Sequence, residues 1–165
     1  MDWPAGIAPV PLGAGALALT HRPKVKLLPA LASAGATHLV TLLAKREGAL
    51  AVGSAAEAAG LHWIWVDLPN GQEPSPASRT GVVTALTMLA PLVTGGATAV
   101  IHCSAGIHRT GMFAYALLRT AGLDPDEATI TLRHLRTITA DGVGDHRLAW
   151  AEDLATLARH RLAPG

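Results

Sequence analysis

The chain of 165 residues has one cysteine, four tryptophans, one tyrosine and one phenylalanine. A single cysteine excludes an intramolecular disulfide framework and fits a reducing compartment. With half the residues hydrophobic but so few aromatic, the core is expected to be aliphatic and alanine-rich. No apolar run approaches the length needed to cross a bilayer, so no membrane partner is expected. Thirteen Lys and Arg against twelve Asp and Glu give a net charge of +1, without the basic excess that marks a nucleic-acid partner. Asp2, Pro4, Pro9 and Pro11 interrupt any charged-then-apolar secretion pattern at the N-terminus. The expectation is a soluble, cytoplasmic, monomeric domain. No motif calls for a metal or an organic cofactor, and none is expected.

What is present reads as alternating strands and helices. Residues 1–16, rich in Pro, Gly and Ala, read as a loose lead-in to a single domain over 17–162. Strands are predicted at 17–20, 37–43, 61–68 and 97–101. Helices are predicted over 26–34, ended by Gly35, and from Ser54 as N-cap to Ala59. Further helices are predicted over 78–93, 109–120, and from the Asp124-Pro125 start to Arg136. A last helix spans 145–160, after a loop over 139–146. Trp63 and Trp65 fall on one face of their strand and are expected in the core. The pattern predicts an α/β domain with a mostly parallel central sheet flanked by helices. In such sheets ligands bind beyond the carboxyl ends of the strands. Both the polar loop after Leu68 and the loop that begins at Cys103 lie at such ends, so one crevice should contain both.

The most informative segment is His102-Cys103-Ser104-Ala105-Gly106-Ile107-His108-Arg109-Thr110-Gly111. A buried strand runs into a tight loop and then a helix. That geometry lets the N–H groups of Ser104, Ala105, Gly106, Ile107, His108 and Arg109 converge on one anion at a helix N-terminus. The same field favours the thiolate of Cys103. A guanidinium at position 109 grips two phosphate oxygens at once.

These residues resemble the Cys-x5-Arg-Ser/Thr-Gly signature of the cysteine-dependent protein phosphatases, including the histidine before the cysteine. The order of elements is similar to the small dual-specificity phosphatases, nearest the kinase-associated and cell-cycle branch. The resemblance implies that fold, Cys103 as nucleophile, Arg109 as phosphate ligand, Thr110 as hydrogen-bond donor to sulfur, and His102 as a support for the loop. His108 departs from the usual glycine. It resembles the Lys-His-Arg-Thr-Gly form of fungal inositol-pyrophosphate phosphatases, with Ile107 in place of the lysine. His146 falls nearest the glutamine that orients water in related enzymes, although Asp145 reads more simply as a helix N-cap. Arg133 and Arg136 either add positive charge near the pocket or are exposed helix arginines with no specific role.

The proton donor is divided among readings. Asp67 is the only aspartate between residues 3 and 123 and is the candidate on chemistry. Alignment with the Asp-Gly-x-x-Pro element of the related phosphatases instead puts Asn70 at the acid position. Glu73 is a second carboxylate, and a crevice without a loop acid is the third reading. The expected activity is hydrolysis of phosphate monoesters through a phosphocysteine, on phosphotyrosine in a phosphorylated protein. The rivals are a small phosphate ester such as an inositol phosphate or a phosphoanhydride, and a phosphate-binding pseudophosphatase.

Overall fold

The computed structural model describes residues 2–164. Five strands form one sheet: β1 (Val10–Leu12), β2 (Gly15–Thr20), β3 (His38–Thr41), β4 (His62–Trp65) and β5 (Thr98–His102). Their order is β1-β2-β5-β3-β4, with β1 antiparallel to β2 and every other pairing parallel. Seven helices accompany them: α1 (Leu28–Ala34), α2 (Ala49–Ala58), α3 (Pro76–Thr94), α4 (His108–Thr120), α5 (Pro125–Leu135), α6 (Thr137–Gly142) and α7 (Asp145–Leu162). The predicted α/β class with a mostly parallel sheet is the architecture observed.

Strand alternation divides the core in two. Leu17, Leu19, Val40, Leu42, Ala99 and Ile101 face the helices α3 to α7. Ala18, Leu39, Leu43 and Val100 face α1 and α2. Helix α4 is the centre of the larger layer, buried from Arg109 to Leu118. The central strand β5 and this buried helix flank the signature loop, so the loop is held by the two most enclosed elements of the fold.

Several boundaries differ from the sequence reading. The lead-in through residue 16 is too long: Val10–Leu12 pairs with β2, and Leu12 is buried. Helix α2 begins at Ala49 rather than after Ser54, because Gly48 at φ 89° reverses the chain from a 3-10 turn, Lys45–Glu47, into an Ala-rich helix. Asp145 is the first helical residue of α7, and Gly144 occupies the cap position. The predicted loop over 139–146 holds α6, which starts anew where Arg136 leaves α5 in an extended conformation, φ −167° and ψ 111°. Trp63 and Trp65 are half-buried and stacked, 5.7 Å between rings.

Candidate active site

Strand β5 delivers Cys103 to the carboxyl end of the sheet, 3 % exposed. Every carbonyl from Cys103 to Ile107 is bonded away from the loop's interior. His102 Nδ1 lies 3.1 Å from the Cys103 oxygen, and the Arg22 N–H donates to the Ser104 oxygen at 2.9 Å. Arg136 Nη1 donates to the oxygens of Ala105 (3.2 Å) and Gly106 (2.9 Å), and Thr139 Oγ1 donates to Gly106 at 2.5 Å. The Ile107 oxygen accepts from Gly111 at 2.8 Å. The N–H groups of Ser104, Ala105, Gly106 and Ile107 have no protein partner among the described residues. Those of His108 and Arg109 are first-turn donors, which no helix satisfies internally. The loop is therefore a cradle of unpaired donors, built for an anion.

Gly106 is required for this shape. Its φ is 72°, and a Cβ there would lie 2.4 Å from the Thr20 oxygen. Ile107 turns to α6, where its Cγ2 would lie 2.6 Å from a Cβ on Gly142. Ser104 and Ala105 are exposed.

His102 is fully buried and belongs to a chain across three strands. Trp63 Nε1 donates to Thr41 Oγ1 at 2.8 Å, and Thr41 Oγ1 is 2.8 Å from His102 Nε2. The Cys103 carbonyl can only accept, so Nδ1 carries the proton and Nε2 accepts from the Thr41 hydroxyl. Burial pushes the His102 imidazole down to about 4, so it is neutral at pH 7. Beside the sulfur, Thr110 Oγ1 donates to Cys103 Sγ at 3.0 Å.

Arg109 is buried, and its charge is met by a residue the sequence reading missed. Nη1 and Nη2 form a fork with Glu47, at 2.8 and 3.1 Å, while Nη1 also donates to the Leu68 oxygen at 2.8 Å. Burial pulls the guanidinium's pKa down, but the Glu47 bonds and the Cys103 charge more than offset it. The Arg109 bonds in turn hold the Glu47 carboxyl below its usual range. Glu47 is fixed by the Ala44 N–H at 2.7 Å, and Arg22 donates to the Glu47 carbonyl. The available signal was a lone carboxylate at the carboxyl end of a parallel strand, where ligands bind. The bond from Arg109 to Leu68 also joins the two loops expected to share a crevice.

The proposed acids are placed differently. Asp67 is exposed and lines a cavity of about 350 Å³ with Ala44, Lys45, Arg46, Pro69 and Ser78. Glu73 is exposed and lines a neighbouring one with Asn70, Ser75 and Ser78. Residues 102–110 line neither. Asn70 Oδ1 accepts the Gln72 N–H at 2.9 Å, closing a small turn. Gly71 meets the signature: a Cβ there would be 2.9 Å from that of His108, and its oxygen accepts Arg147 Nε at 2.7 Å. His108 is exposed, its imidazole held below its usual value by burial and by the charges of Arg147, His146 and Arg109. His146 sits edge-on to Trp150, 5.1 Å between rings. Arg136 is no idle surface cation, since it binds the loop, whereas Arg133 pairs with Asp141 at 2.8 Å.

The model of the tyrosine phosphatase family matches residues 77–140. No curated protein matches the chain. Among solved structures the fold is similar to Tk-PTP in its active form, with a TM-score of 0.68 and 22 % identity over 88 % of this chain and 93 % of that one. It is also similar to the kinase associated phosphatase with its catalytic cysteine replaced by serine (TM-score 0.69, 17 % identity, 100 % of both chains). A third similar structure is PTPMT1 in complex with PI(5)P (TM-score 0.69, 15 % identity, 94 % of this chain and 99 % of that).

Proposed function

From a chain that carries the cysteine-dependent phosphatase signature on a dual-specificity-like fold, we propose hydrolysis of phosphate monoesters through a phosphocysteine, with phosphotyrosine as the substrate. One observation carries this reading: the donors left over around Cys103 match a phosphate. Arg109 spends both Nη1 hydrogens on Glu47 and Leu68 and one Nη2 hydrogen on Glu47. Nε–H and one Nη2–H remain, the pair that binds two phosphate oxygens. With the unpaired loop N–H groups they stabilise the equatorial oxygens as charge redistributes. The Cys103 thiolate attacks phosphorus and displaces the ester oxygen. The Thr110 hydroxyl, 3.0 Å from sulfur, supports the thiolate again as water releases phosphate.

An aryl oxygen leaves with less protonation than an alkyl one. That suits a crevice whose loop bears Asn70, and it favours phosphotyrosine over phosphoserine. A second reading, hydrolysis of an inositol phosphate or a phosphoanhydride, is favoured by Arg22, Arg136 and Arg147. These ring the loop on backbone carbonyls, with no ion pair among the described residues.

Phosphate release from p-nitrophenyl phosphate with chelator present tests the chemistry. The native protein should turn over and Cys103→Ser should not. A native protein that binds phosphate without releasing it would establish a pseudophosphatase instead. Faster release from an inositol phosphate than from a phosphotyrosine peptide would move the substrate to the second reading.

A further inference from the structure

We propose that His108 donates the proton to the leaving oxygen, in place of a carboxylic acid from the loop after β4; the assignment rests on the phosphatase reading above. In an in-line displacement the leaving oxygen lies opposite the attacking sulfur. With Cys103 at the buried floor, that oxygen stands at the crevice mouth. His108 is exposed, next in sequence to Arg109, with its Cβ against Gly71 of the loop after β4.

Where the loop after β4 meets His108 it presents no acid. It meets the signature at two places: at Leu68, whose oxygen accepts from Arg109, and at Gly71, flanked by Asn70 and Gln72, where Asn70 already accepts the Gln72 N–H. Asp67 and Glu73 lie on the same loop on either side of Gly71, exposed and each lining a cavity of its own. The charged and titratable groups that face His108 are Arg147 and His146 from α7 and Arg109 from its own helix. Burial and these three basic neighbours favour loss of the imidazolium proton. A docked phosphate dianion pulls the other way and favours the protonated form.

The step balances. The S–P bond forms as the P–O bond breaks. The P–O electron pair goes to the leaving oxygen, which takes the proton from the His108 imidazolium. In the second step the neutral imidazole takes a proton from water as water attacks phosphorus and the thiolate departs.

The test compares p-nitrophenyl phosphate, whose leaving group needs little protonation, with phenyl phosphate. Native protein, His108→Gln, Asp67→Asn and Glu73→Gln are assayed across pH. In His108→Gln the phenyl ester should lose on the order of 10²-fold, and the p-nitrophenyl ester less than about tenfold. The fall in phenyl ester turnover with rising pH should vanish in this variant alone. Equal losses on both esters would overturn the assignment, as would a selective loss in Asp67→Asn or Glu73→Gln. Native protein inactive on p-nitrophenyl phosphate would overturn the phosphatase reading itself, a separate and recognisable failure.

Discussion

Two loops meet in the crevice, and they are held in different ways. From Cys103 to Ile107 the signature loop has every carbonyl bonded outward, to five partner residues, His102, Arg22, Arg136, Thr139 and Gly111. The loop from Val66 to Ser75 touches the site at two carbonyls, Leu68 to Arg109 and Gly71 to Arg147. Its end is fixed by Ser75, which caps α3 through the Ser78 N–H at 3.2 Å. The first loop must present a fixed array of donors, so its backbone is determined from all sides. The second meets the site through backbone carbonyls, contacts that do not depend on which side chains it carries. Substitutions in the two loops should therefore differ in both kind and size.

The largest effect is expected at Gly106. An alanine there combines a left-handed φ of 72° with a Cβ 2.4 Å from a backbone oxygen, which no rotamer relieves. Gly106→Ala should cost roughly 1–3 kcal/mol of stability and at least about a hundredfold in turnover, as misplaced donors do. Melting curves and p-nitrophenyl phosphate kinetics measure both. Native turnover in this variant would mean that the loop need not hold its shape.

Protonation of His102 attacks the same loop from behind. Its folded value of about 4 lies below the ordinary 6.5, because burial disfavours the charged ring. Between those values the unfolded chain binds more protons, so stability is complete above pH 6.5 and falls as pH drops toward 4. At about 1.36 kcal/mol per pH unit the gap is worth on the order of 3 kcal/mol. Denaturant titrations from pH 7 to pH 4 should show that loss, and His102→Asn should flatten it.

Glu47→Gln comes next. It keeps an acceptor but removes the charge opposite a buried guanidinium, so about 2 kcal/mol of stability should go. KM should rise as Arg109 loses its fixed direction. In the native protein the depressed Glu47 carboxyl contributes stability above its unfolded pKa, and this is lost as pH falls through its folded value. The acid loss should therefore be shallower in Glu47→Gln than in the native protein.

The same contrast explains what was legible in the sequence. The signature loop needs particular residue types at fixed spacing, so Cys103, Arg109, Thr110 and His102 could be singled out, and the strand and helix around them with their approximate bounds. The rule that ligands gather at strand ends placed both loops in one crevice. Glu47 was missed because its contact with Arg109 spans 62 residues and rests on a short 3-10 turn, neither of which leaves a periodic signal. Helix α6 was hidden by β-branched Thr137, Ile138 and Thr139 and by closing Gly142, weak helix formers held in place by packing. With it went the roles of Arg136 and Thr139. Strand β1 was hidden by flanking proline and glycine, since its order comes from pairing with β2. In each case tertiary contact outweighed local preference.

The smallest effect is expected in the second loop, at Asn70. Aspartate keeps an oxygen to accept the Gln72 N–H, and the position is exposed. Asn70→Asp should thus change stability by no more than about 0.5 kcal/mol. Its value lies in the chemistry. The new carboxyl stands one residue from the contact between Gly71 and His108. If His108 already supplies the proton, a second donor should raise phenyl phosphate turnover by less than about tenfold. The added negative charge also favours the imidazolium, so the falling limb of the pH profile should move to higher pH. A gain on the order of 10²-fold with an unmoved limb would mean that the native crevice lacks a donor. The mouth would then owe its rate to the leaving group alone.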